Sequence, residues 1–138
     1  MTDATDPRSG LTVTHRRYVP YSHAHYAGHL VDGAYVLGLF GDVATEVCIR
    51  TDGDEGLFAS YSEVQFRAPV QAGDVVEVQA TVTRVGTRSR ELALEARVVC
   101  RGADGQTDPS VAASAAVVLD PPVVVVTAVG TVVVPAQT

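Results

Sequence analysis

The chain predicts an α+β fold: one long helix wrapped by a curved antiparallel sheet. Three observations carry that expectation. Residues 30–49 place apolar Val31, Ala34, Leu37, Val43 and Val47 at helical spacing. The segments that follow alternate apolar and polar residues with period two, the pattern of half-buried strands. The order is strand, helix, then strands only, which suits an antiparallel sheet on one helix rather than a parallel βαβ arrangement.

The elements follow in order. Residues 1–10 (MTDATDPRSG) are polar and turn-rich and are expected to form a flexible tail, with residues 11–138 as a single domain. LTVTHRRYV alternates and reads as a first strand. Pro20 and the histidine-rich run after it read as a loop. The helix is expected over Leu30–Ile49 and ends at the turn Asp52-Gly53-Asp54-Glu55-Gly56. LFASYSEVQFRAPV is the next strand, closed by Pro69 and the turn QAGD. DVVEVQATVTRVG points Val76, Val78, Ala80 and Val82 to one face, and RELALEARVVCRG does the same with Leu92, Leu94, Ala96 and Val98. Residues 102–121 read as an excursion with a short helix over Val111–Leu119. VVVVTAVGTVVV closes the sheet as a buried strand.

Composition narrows the function classes. The 138 residues suffice for one core, and 46% hydrophobic with 19% charged residues excludes general disorder. A net charge of -6 argues against a nucleic-acid partner, which calls for a basic stripe. Every basic residue is arginine, so Schiff-base chemistry, pyridoxal-phosphate attachment and the P-loop lysine are excluded. Cys48 and Cys100 each sit in an apolar run and read as free thiols in a reducing compartment. Neither belongs to a zinc-ligand spacing. No signal peptide or long apolar span is visible, so a cytoplasmic protein with no membrane partner is expected.

Residues 23–46, HAHYAGHLVDGAYVLGLFGDVATE, carry the chemistry. Three histidines, three carboxylates and four glycines fall in a stretch that otherwise reads as a buried helix. Glycine inside a helix costs about 1 kcal/mol relative to alanine, and burying a carboxylate costs more. A segment that breaks both rules is where function is expected. The glycines Gly33, Gly38 and Gly41 are expected where the helix meets a sheet or a second chain at close range.

Six blocks in order, HYAGHLVDGA, LFGDVATEV, DGDEGLF, APVQAGD, VGTRSR and AVGTVVVP, resemble the 3-aminobutyryl-CoA ammonia-lyases and, more distantly, the β-alanyl-CoA ammonia-lyases. Both belong to the hotdog-fold acyl-CoA enzymes. The resemblance covers roughly residues 18–135. It implies a hotdog fold and reversible elimination of ammonia from a 3-aminoacyl-CoA to give an enoyl-CoA. No cofactor or metal beyond the coenzyme A of the substrate is implied. It also implies a homodimer, or a higher assembly such as a trimer of dimers, with sites at the dimer interface. The chain departs from the family's pattern at two positions: His23 stands for the usual aspartate and His29 for the usual asparagine.

Elimination β to a thioester needs a base for the weakly acidic α-proton and donors for the enolate oxygen. The helix start at Asp32-Gly33 offers unpaired N–H groups, and Gly33 lets a thioester carbonyl approach. Asp32 can cap the helix or contact substrate. Asp42 and Glu46 share a helix face. Whichever of the two has its pKa raised by its neighbour makes the better base; Glu46 is expected as the base and Asp42 as ammonium partner or orienter. The resemblance places His25 and Tyr26 at the thioester and His23 and His29 in the pocket lining. Arg88, Ser89 and Arg90 at a strand turn are expected to anchor coenzyme A phosphates, with Arg67 a weaker candidate. Glu63 is expected at a rim, and Asp52, Asp54 and Glu55 in a solvated turn.

Two other functions use the same scaffold. One is an acyl-CoA thioesterase whose carboxylate positions water. The other is a non-catalytic acyl-CoA binding module, against which the retention of both Asp42 and Glu46 speaks.

Overall fold

The computed structural model describes residues 6–103 and 108–136. Seven strands and one α-helix follow one another: β1 (Thr12–Tyr18), β2 (Leu30–Val31), α1 (Gly33–Asp52), β3 (Leu57–Phe66), β4 (Val70–Gln71), β5 (Val75–Val85), β6 (Ser89–Gly102) and β7 (Ala116–Val133). Five of the strands form one antiparallel sheet in the order β1-β5-β6-β7-β3, and β2 pairs with β4 in a small second sheet. The expected α+β architecture is therefore present, with β1 and β3 at the two edges of the main sheet.

Helix α1 starts and stops for local reasons. The Asp32 side chain accepts the Tyr35 N–H at 3.1 Å, capping the first turn. At the other end Gly53 adopts φ 65°, and its N–H returns to the Ile49 carbonyl. The helix thus runs about three residues later than the sequence suggests. Leu30 and Val31 are withheld from it because they pair with Gln71 and Val70.

The buried stripe of α1 is Val36, Leu39, Phe40, Val43, Ala44, Val47 and Cys48. This i, i+3, i+4 repeat lies chiefly over β5. Each large member contributes roughly 1.5–3 kcal/mol on burial. Ala34 is exposed and Leu37 only half-buried, so the expected face was wrong in the first two turns. Apolar residues crowd residues 34–40 on every side, and periodicity alone does not fix the phase there.

Strands β5 and β6 follow the expected alternation, with Val76, Val78, Ala80, Val82, Leu92, Leu94, Ala96 and Val98 buried. Strand β3 does not alternate. Its inward residues are Phe58, Tyr61 and Val64, three apart, because the pairing with β7 slips between Phe58 and Ser60 and again between Tyr61 and Glu63.

The short helix expected over Val111–Leu119 is absent. A turn, in which Asp108 accepts from the Ser110 N–H and hydroxyl, leads into β7 at Ala116. Val117 and Val118 then pair with Arg101 and Cys100, so β-branched residues extend the sheet instead. Residues 6–10 of the expected tail are held in place. Arg8 bonds Asp6 and Asp52, and the Gly10 N–H donates to the Val82 carbonyl at 2.8 Å; residues 1–5 lie outside the described part. Cys48 and Cys100 are both free thiols. Among the described residues no helix is long and apolar enough to cross a membrane.

Candidate active site

The amino end of α1 opens into a cleft of about 710 Å³. Three segments build it. The loop before the helix supplies His25 and Tyr26. Their backbone N–H groups both donate to the Leu30 carbonyl, at 2.8 and 2.9 Å, which folds the loop back over β2. Gly28, at φ 72°, makes that reversal possible. The helix start supplies Asp32, Gly33, Ala34 and Val36, and the end of β3 with the turn after it supplies Phe66 to Val70.

Gly33 is required here, though its missing side chain does not face empty space. A Cβ on Gly33 would collide with the Phe66 ring, which lies flush against the helix start. Phe66 is 59% exposed and forms a cleft wall. Gly38 and Gly41 behave differently. A Cβ on either meets nothing within 4 Å in this chain. They face a groove shared with Leu37, Phe58 and Tyr61.

The polar inventory of the cleft is short. Among its lining residues the ionisable groups are Asp32, His25, Tyr26 and Arg67. Asp32 Oδ1 receives the Tyr35 N–H, while Oδ2 lies 3.9 Å from His25 Nδ1. The His25 and Tyr26 rings meet edge to face at 4.6 Å. Arg67 donates through Nε to the Thr127 hydroxyl at 2.8 Å. Below the cleft, buried Asp74 accepts from Arg101 and from the Gln71 N–H, while Arg101 also donates to the Pro69 carbonyl. This pair braces the Pro69–Val70 wall.

Other expected site residues lie elsewhere. His23 stacks on Tyr35 at 4.3 Å, and His29, at φ 62°, turns edge-on to Tyr21. His23, His25 and His29 thus face three different aromatic rings. Among the described residues no three metal-ligating side chains converge.

Glu46 is bound on both oxygens, by His15 Nε2 at 2.8 Å and by Arg50 Nε at 2.8 Å. The Arg50 hydrogen bond, then that of His15, holds its carboxyl below the usual range, so Glu46 does not have the raised pKa that favours a base. Asp42 is exposed on α1, ten residues beyond Asp32 and so about 15 Å further along the helix axis.

The arginine turn is the clearest correction. Arg90 is 1% exposed and pairs with Asp52 at 2.7 and 3.0 Å, while its Nη1 donates to the Gly86 and Ser89 carbonyls. It is a buried structural cation, unavailable to a phosphate. Asp52 belongs to that pair and not to a solvated turn. Arg88 donates to the Val134 carbonyl, and Ser89 sits under Gly86. This turn lies at the carboxyl end of α1, which is about 30 Å long, away from the cleft. Arg67, the weaker candidate, is the arginine that lines it. Glu63 is exposed on β3 and shares a separate groove with Arg67.

Phe66 as a wall and the Asp74–Arg101 brace escaped the sequence reading. Pro69 was the available signal for the wall, since a proline cannot donate to a strand ladder and so marks the turn between β3 and β4. The brace joins residues far apart in sequence and has no local signature.

A long helix on an antiparallel sheet, with a cleft at the helix's amino end, defines a hotdog-fold protein. The thioesterase superfamily model matches residues 28–99. The 3-aminobutyryl-CoA ammonia lyase of Acetoanaerobium sticklandii is 53% identical over 112 residues, covering 81% of this chain and 85% of that one. The solved β-alanyl-CoA:ammonia lyase from Clostridium propionicum superposes with a TM-score of 0.84 at 35% identity, over 91% of this chain and 86% of that one. A hexameric hotdog-fold thioesterase of Campylobacter jejuni shares the fold, with a TM-score of 0.69 at 17% identity over 89% of this chain and 80% of its own. The chain belongs to the thioesterase superfamily, in the family of the 3-aminobutyryl-CoA and β-alanyl-CoA ammonia lyases.

Proposed function

We propose that this chain is a 3-aminoacyl-CoA ammonia-lyase, an enzyme that reversibly converts 3-aminobutyryl-CoA or a similar thioester to the enoyl-CoA and ammonia. The 53% identity to a 3-aminobutyryl-CoA ammonia lyase carries the reading. The cleft at the start of α1 supports it.

The thioester carbonyl lies at the open end of α1, near Gly33 and Ala34, where first-turn N–H groups lack intrahelical acceptors. His25 and Tyr26 orient it from the opposite wall. A carboxylate takes the α-proton, and negative charge moves to the carbonyl oxygen as the enolate forms. The enolate electrons then re-form the carbonyl and make the α,β double bond as the C–N bond breaks; the ammonium nitrogen leaves as ammonia with that electron pair, and the α-proton passes from the carboxylate to it. No cofactor enters these steps. Arg67 faces the phosphates of coenzyme A.

The base comes from a second copy of the chain. Asp42 is too far along α1 to serve its own cleft, and both oxygens of Glu46 are already bound. Asp42, for which no partner is found among the described residues, is therefore the base, and Glu46 fixes the helix face that presents it. The open groove at Gly38 and Gly41 supports a homodimer that brings this face to the partner's cleft. The enzyme acts in the cytoplasm.

Incubation with crotonyl-CoA in ammonium buffer, followed by mass spectrometry, tests the activity. The expected product gains one ammonia and releases no free thiol. Free coenzyme A without an amine adduct would replace this reading with a thioesterase. Asp42→Asn is expected to abolish turnover with the assembly intact. Survival of activity there and its loss in Glu46→Gln would return the base role to Glu46.

A further inference from the structure

We propose that Asp32 is the residue by which the cleft tells a 3-aminoacyl thioester from a plain acyl thioester, receiving the substrate's ammonium on its Oδ2 oxygen. The inference deepens the lyase reading and rests on it for the identity of the substrate.

Asp32 is held by one oxygen and open at the other. Oδ1 accepts the Tyr35 N–H at 3.1 Å, and this bond fixes the side chain on the cleft wall. Oδ2 has His25 Nδ1 at 3.9 Å, beyond hydrogen-bond distance. Asparagine or serine would make the same cap bond about as well, so beyond the favourable helix dipole the cap does not call for the negative charge.

The surroundings select the ligand's charge. Asp32 is the one carboxylate among the lining residues. Val31, Val36, Phe66, Val70 and Val126 make much of the remaining wall. Beside apolar walls a carboxylate oxygen with a free lone pair gains most from a cationic donor. Arg67 also lines the cleft, with Nε on the Thr127 hydroxyl. A ligand with an ammonium at one end and phosphates at the other matches that pair of charges.

Connectivity supplies the distance. A 3-amino group stands two carbons from the thioester carbonyl carbon. Asp32 is the residue immediately before Gly33, at whose helix end the carbonyl is placed. One helix end therefore holds both functional groups of a β-amino thioester. A chain without a β-amino group would leave Oδ2 without a donor.

Binding measured with unreactive ligands tests this. S-(3-aminobutyl)-CoA and S-butyl-CoA lack the carbonyl that acidifies the α-proton, so neither turns over. Calorimetric titration of the intact wild-type protein is expected to favour the amine. In Asp32→Asn the amine should weaken on the order of 10- to 100-fold, while S-butyl-CoA changes by less than about twofold. Asp32→Ser should lose the same preference and guards against a fold defect in one variant. An unchanged ratio in both variants, or equal weakening of both ligands, would overturn the assignment and leave Asp32 as a cap. The ratio is read without turnover. A chain that fails to aminate crotonyl-CoA yet shows the ratio change would refute the lyase chemistry and retain the ammonium site.

Discussion

Replacing Arg90 by methionine separates a structural arginine from a ligand-binding one. The guanidinium makes two bonds to Asp52 and two to backbone carbonyls, with the two side chains 1% and 3% exposed. Removing one partner of a buried pair costs about 3–5 kcal/mol, because the other charge stays buried. Asp52 keeps Arg8 at 3.1 Å and the Thr51 hydroxyl at 2.6 Å, which places the cost near the lower end, about 3 kcal/mol. For a chain of this size that lowers the melting temperature by roughly 10–15 °C. Melting followed by circular dichroism at fixed protein concentration reads it, beside a titration with S-butyl-CoA. The expected result is a large fall in melting temperature and an affinity unchanged within about twofold. A tenfold loss of affinity with unchanged melting would refute the reasoning and restore Arg90 as a phosphate anchor. The double variant with Asp52→Asn should lose less than the sum of the two single losses, since neither charge is then stranded. Acid provides a second readout. Burial pushes the Asp52 carboxyl up, but the Arg90 hydrogen bonds, the Thr51 hydroxyl and the charges of Arg90 and Arg8 outweigh it and leave it below its ordinary 3.8. A depressed folded pKa stabilises above the unfolded value and ceases to do so as pH falls through the folded one. The wild type should lose stability below about pH 4, and Asp52→Asn should flatten that limb.

Two further outcomes follow from the same geometry. Arg67→Gln should raise the KM for a coenzyme A thioester about tenfold and leave the melting temperature unchanged, whereas equal KM values for the two proteins would remove Arg67 from the phosphate site. Gly56→Ala should cost about 2 kcal/mol or more in denaturant melts, since φ is 62° and a Cβ would stand 2.7 Å from Cys48 Sγ and 3.0 Å from the Val133 carbonyl oxygen; an unchanged midpoint would mean that α1 can shift at its carboxyl end.

The elements most legible in the sequence are those set by local rules. β5 and β6 read correctly because their alternation matches their burial, and the α1 cap and stop were visible as Asp32 and Gly53. The face of α1 was not, because apolar residues surround it between Ala34 and Phe40. The site was legible where the chain is continuous. The loop at His25 and Tyr26 and the helix start at Asp32-Gly33 do line one cleft. It was not legible where distant residues meet. Nothing local in VGTRSR announces that Arg90 points inward to Asp52, and RS-flanked arginines on a turn read as exposed. Glu46 is engaged from both ranges: Arg50 is a local i,i+4 partner visible in the sequence, whereas His15 comes from the far side of it.

The two slips in β3 give residue number a meaning of its own. Each adds one residue to β3 that has no counterpart on β7. Side chains alternate along a strand, so losing either extra residue would close its slip and leave Glu63 to Phe66 on their present partners, whereas losing one residue from the regular run after Glu63 would send the later side chains to the opposite face. In that second case Phe66 would leave Gly33, and the cleft would lose a wall although the Phe66 side chain itself remained. Between Glu63 and Phe66 the cleft is specified by how many residues the chain spends, before it is specified by which ones.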